Sequence, residues 1–183
     1  VVATTHGAGR IFLTDTGPLT LGAITTAGGL VNVATTGPGT LTAGGLISTS
    51  GGAVTLYSQD ALAVNGGITA VGGAVNLLAN QDGTTTGDFT QANATTISGT
   101  GITVTVNTGA GTGTGAAVVS TITDAGALAI TTNNTLNTTG GSITRQLAST
   151  LTGTGVTLTT GIGDIGTGTG ANAINLASGQ VGV

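Results

Sequence analysis

The chain has 183 residues, the size of a single domain, but only 4% are charged against about 25% in an ordinary globular protein. Its net charge of −4 comes from six Asp and two Arg, with no Lys, Glu, Cys, Met or Trp. Arg10 and Arg145 cannot form the basic patch that nucleic acid or an anionic bilayer needs, and without cysteine neither disulfides nor thiolate metal sites hold the fold.

Mean hydropathy is positive at +0.45. Gly, Thr or Asn nevertheless interrupts the apolar residues every two or three positions, so no run approaches the roughly 18 residues of a spanning helix, and no membrane span is expected. Hydrophobic residues make up 38%, mostly Val, Ile, Leu and Ala, which separates the chain from a disordered, charge-rich linker. With two Phe and one Tyr, the core must be thin and aliphatic.

Residues 1–18 read as an N-terminal strand or docking segment that opens on Val1-Val2-Ala3. This opening lacks the charged and apolar layout of a secretion signal, so any such signal is expected to lie outside this sequence. Residues 19–183 read as repeats. A short phrase recurs, a Gly pair or small residue followed by apolar and polar residues in alternation. Gly28-Gly29-Leu30-Val31-Asn32-Val33, Gly51-Gly52-Ala53-Val54-Thr55-Leu56 and Gly72-Gly73-Ala74-Val75-Asn76-Leu77 are the clearest copies. Looser ones begin at Gly99, Gly126, Gly141 and Gly153, and a second short apolar strand, such as Leu62-Ala63-Val64, lies between successive copies.

Within each phrase the period is two, the signature of a strand with one buried face, and helix formers are scarce. Strands this short suit coils that pair above and below at about 4.8 Å. The expected fold is all-β, a right-handed parallel β-helix (β-solenoid) of roughly 7–8 coils at about 21–27 residues per coil. Its core ladder is Val31, Val33, Val54, Leu56, Val75, Leu77, Ile102, Val104, Leu128 and Ile130, with Asn32, Thr55, Asn76 and Thr103 in one outer row. The register becomes hard to follow after Leu128.

Gly-Gly-x-Val-x-Leu coils, Thr- and Asn-rich turns and the stretch Gly163-Asp164-Ile165-Gly166-Thr167 resemble the repetitive bacterial surface exoproteins of the filamentous haemagglutinin type. The resemblance covers roughly residues 19–178 and rests on composition and period. It implies a secreted β-helical fibre, adhesin or biofilm scaffold. The N-terminus departs from that pattern, without the polar capping domain that guides such proteins through secretion.

Few residues are candidates for chemistry, and neither catalytic residues nor a cofactor is expected. His6 is the only histidine and has no partner set for a metal or a triad. Gln59-Asp60 and Gln81-Asp82 recur one coil apart, which makes Asp60 and Asp82 a candidate Ca²⁺ pair, although Asp at a turn more often bonds local backbone. Thr-x-Thr, as at Thr103 to Thr105 or Thr157 to Thr159, suits a flat face that orders water or binds a glycan. Along the sequence it does not recur at a fixed place. The sequons at Asn93, Asn133 and Asn137 are expected by chance in so Thr-rich a chain.

The ends, Val1, Val2 and Ala3 at one and Val181 and Val183 at the other, are still strand-like and show no polar cap. They are expected to stack head-to-tail, on another copy or on neighbouring repeats of a longer chain, as an extracellular or cell-surface fibre or stalk that is not an enzyme. Glycans or other cells are candidate partners. An ice- or glycan-binding module using a flat Thr/Asn face is the alternative.

Overall fold

The structure, a computed structural model, describes residues 1–83, 87–108, 113–132, 140–166, 173–178 and 181–182. Among these every regular element is a strand, and each coil lays down up to three of them. The first coil holds β1 (Ala3–Thr5), β2 (Ile11–Asp15) and β3 (Leu19–Leu21); the second β4 (Ile24–Thr26), β5 (Val31–Thr35) and β6 (Leu41–Ala43). The third holds β7 (Ile47–Ser50), β8 (Val54–Ser58) and β9 (Leu62–Val64); the fourth β10 (Ile68–Val71), β11 (Val75–Ala79) and β12 (Phe89–Gln91). The fifth holds β13 (Thr96–Gly99), β14 (Ile102–Val106) and β15 (Ala117–Val119); the sixth β16 (Thr121–Asp124), β17 (Ala127–Thr132) and β18 (Ile143–Arg145). β19 (Leu151–Gly153) and β20 (Gly155–Thr160) continue into a seventh coil, and β21 (Leu176–Ser178) and β22 (Val181–Gly182) into an eighth.

The first strand of every coil joins one parallel sheet, A, the second another, B, and the third a six-stranded sheet, C. Six coils are complete. In the seventh a single bridge from Ile165 to Ile143 stands where a third strand would be. The three-sheet parallel solenoid agrees with the fold expected from the sequence, and residues 1–15 contribute its first strands to sheets A and B.

Alternation drives the packing. β5, β8, β11 and β14 each bury their first, third and fifth residues and leave the second and fourth partly exposed. Val31 lies opposite Val54, Val54 opposite Val75 and Val75 opposite Ile102. A second inner column runs Val33, Leu56, Leu77, Val104 and Ile130. All of these, and Leu128, are at most 1% exposed. The register continues past Leu128, which faces Val156, while Ile130 faces Leu158.

The Gly pairs make the corner from sheet A to sheet B. Gly51 takes the left-handed backbone, φ 104°, that turns the chain. Its neighbour Gly52 sits against the coil before it, where an added Cβ would meet the carbonyl oxygen of Gly29 at 2.0 Å. The phrase therefore combines a conformational need with a steric one. Inside the same corner Thr49 is buried and donates its hydroxyl to the Gly52 carbonyl, as Thr26 does to Gly29, so the carbonyls turned inward by the bend are satisfied.

Candidate functional site

The outward side chains of sheet A form a column of hydroxyls. Thr4 lies opposite Thr25, Thr25 opposite Ser48 and Ser48 opposite Thr69. Thr69 then faces Ser98, Ser98 faces Thr123, and Thr123 faces Thr152. Seven successive coils thus place Thr or Ser at one position. These hydroxyls take no hydrogen bond within the described residues and remain available to a partner or to water.

Sheets B and C do not keep such a column. On sheet B the row Asn32, Thr55, Asn76, Thr103 continues into Ala129, and the adjacent row is broken by Tyr57 and Leu78. Thr103 donates its hydroxyl to Asn76 Oδ1 at 2.9 Å, so part of that row is tied up in itself. On sheet C, Ala63 and Val118 interrupt the threonines.

In coils five to seven the sheet A column gains a second file. Thr96 lies two residues before Ser98 and opposite Thr121. Thr150 lies two residues before Thr152, its carbonyl bonded by the Ile122 N–H at 3.0 Å, which puts it in the same file as Thr121. The result is two columns of three hydroxyls, Thr96, Thr121 and Thr150 beside Ser98, Thr123 and Thr152.

Buried polar groups tie the fifth and sixth coils together beneath that face. Asp124, next to Thr123, points inward and is 4% exposed. Its carboxylate accepts N–H groups from Gly101 at 2.7 Å, Ile102 at 2.6 Å and Gly126 at 2.8 Å. Gln91, fully buried at the corner that leads into sheet A, donates to the carbonyls of Thr95 and Thr121 at 3.0 Å each and accepts the Ser120 N–H at 2.9 Å. Each side chain bridges two coils and sets their relative position.

The other sequence candidates sit in turns and at the two ends. Asp60 accepts the Gly39 N–H at 2.9 Å from the coil before, a turn-stapling role, and Asp82 lies in the turn after Asn80. No group of three or more potential metal ligands occurs among the described residues. His6 is exposed in a turn, and Asn93 is exposed and bonds the next backbone N–H through its own Oδ1. Val1 and Val2 are 54% and 72% exposed, Ala3 faces Ile24, and Val181 faces Val156. Val183, Asn133, Asn137 and Thr167 lie outside the described residues.

Sequence reasoning missed the sheet A column. Its members are separated by steps of 21, 23, 21, 29, 25 and 29 residues. Coils of unequal length deliver Thr96-x-Ser98, Thr121-x-Thr123 and Thr150-x-Thr152 to one face, whereas Thr103-x-Thr105 and Thr157-x-Thr159 lie on sheet B with Ala129-x-Thr131 between them. No pocket opens among the described residues, and they contain no helix long and apolar enough to cross a membrane. No family model, no curated protein and no solved structure matches the chain.

Proposed function

We propose that this chain is a non-enzymatic structural element of the cell exterior, a fibre or adhesin stalk whose coils stack end to end. The supporting observation is the open ladder: among the described residues β1, β2 and β3 each have a strand neighbour on one side only, so the first described coil presents its outer edges to a further strand. Such edges pair with whatever strand is supplied in register. The supplier is a neighbouring repeat of the same chain or the opposite end of a second copy, and a head-to-tail contact of that kind propagates rather than closes.

The surface suits a long-lived material. Two Arg and no Lys leave trypsin-like proteases almost nowhere to cut, and no Cys or Met is present to oxidise. The resemblance to filamentous haemagglutinin-type exoproteins agrees in kind with this reading and supplies its extracellular setting.

Electron microscopy of the purified chain at neutral pH is the test. Uniform filaments with an axial repeat near 4.8 Å are expected. Short separate rods at high concentration would sink the proposal.

A further inference from the structure

We propose that the sheet A face of coils five to seven binds the surface of ice. This concerns a face and not an end, so it holds whether or not the coils assemble into filaments. The site is the double file Thr96, Thr121, Thr150 and Ser98, Thr123, Thr152.

The first argument is geometric. Parallel coils set the hydroxyls of one file about 4.8 Å apart, and alternate residues along a strand set the two files about 6.7 Å apart. Register is shared across all three coils. A two-dimensional lattice of hydroxyls, of which Thr150 Oγ1 also accepts the Asn175 side-chain amide at 3.1 Å, is complementary to a partner that is itself a lattice, and these repeats are close to those of water oxygens on the planes of hexagonal ice. Five of the six are β-branched Thr, stiff at χ1, so little rotamer freedom is lost when they meet a rigid surface.

The second argument is chemical. No charged side chain faces outward among the six, because Asp124, their one acidic neighbour, is turned inward and held by three amides. An uncharged face selects an uncharged partner. A soluble glycan is held in a concave site by convergent polar groups and aromatic planes. This face has neither, with no pocket among the described residues and no aromatic in the two files. Against liquid water a single hydroxyl gains little, since one hydrogen bond replaces another. Ordered hydroxyls alternating with threonine methyls favour water that is already ordered.

The test is nanolitre osmometry and ice-crystal morphology on the purified chain. Thermal hysteresis with faceted crystals is expected. Thr123→Tyr, which puts a ring at the centre of the double file, should abolish most of it, and Thr144→Tyr, outward on sheet C, should leave it intact. Circular dichroism melting checks that both variants fold. Unshaped crystals with the parent chain overturn the proposal, as does equal activity in folded Thr123→Tyr. Retention on insoluble cellulose or chitin without hysteresis also overturns it, and would assign the face to a crystalline polysaccharide.

Discussion

The carboxylate of Asp124 accepts the backbone N–H of Ile102 at 2.6 Å, from one coil onto the next. Its other oxygen accepts from Gly101 in that same neighbouring coil and from Gly126 in its own turn. At the same position in sheet A the second and third coils carry Thr26 and Thr49, which donate to carbonyls. Gly99 lies opposite Asp124, and a Cβ added there would meet Val75 Cγ2 at 2.9 Å and the Gly73 carbonyl oxygen at 3.0 Å. One corner of the solenoid thus satisfies its backbone in two opposite ways, by a hydroxyl donor early in the stack and by a carboxylate acceptor later.

Asp124→Ala removes the acceptor for three N–H groups at a site 4% exposed. A loss of roughly 3 kcal/mol is expected, since buried hydrogen bonds to a charged group are among the strongest. Urea unfolding of the parent and the variant measures it, and an unchanged midpoint would contradict the coupling.

Gln91→Leu keeps the volume but leaves the Ser120 N–H and the carbonyls of Thr95 and Thr121 without the partner they have now. Orphaned buried groups cost about 1–3 kcal/mol each when water cannot replace the partner. The expected signature in hydrogen exchange is faster exchange at Ser120, with the amides of the first two coils unaffected.

Gly52→Ala forces a methyl to within 2.0 Å of the Gly29 carbonyl oxygen. Overpacking of this kind costs about 1–3 kcal/mol, and here the obstacle is backbone, which cannot swing aside. Gly155→Ala is the control, with nothing within 4 Å of the added methyl, and a change within about 0.5 kcal/mol is expected. Thermal melts of the two variants side by side decide it.

Phe89 is the largest fully buried side chain and lies between Leu62 and Ala117 in neighbouring coils. Phe89→Ala should cost about 3–5 kcal/mol, because a ladder of parallel strands cannot collapse locally to fill the space. Denaturant titration checks it.

Chelation is expected to leave the melting temperature unchanged, since Asp60 is engaged with the Gly39 N–H and the described residues hold no cluster of three metal ligands. A fall in melting temperature on adding EDTA, reversed by Ca²⁺, would return Asp60 and Asp82 to the role of ligands.

The inner columns were legible in the sequence because Val54-Thr55-Leu56 and its copies carry the strand period on their face. A Gly pair before the three clearest phrases marks where the backbone must turn. Thr123 and Thr152 were not legible as neighbours, since nothing in their local sequence says that 29 residues of chain return to the same place. Asp124 and Gln91 were silent for a related reason. A buried polar residue looks like a surface one until its partners in another coil are known.

What the sequence determined by itself was a thin aliphatic β-core wound in coils, because apolar alternation, glycine corners and the absence of charge all act over a few residues. What only the tertiary structure decided was which outward side chains share a column. Parallel pairing acts between residues a whole coil apart, and it absorbs differences in loop length so that the strands, rather than the residue count, keep the register.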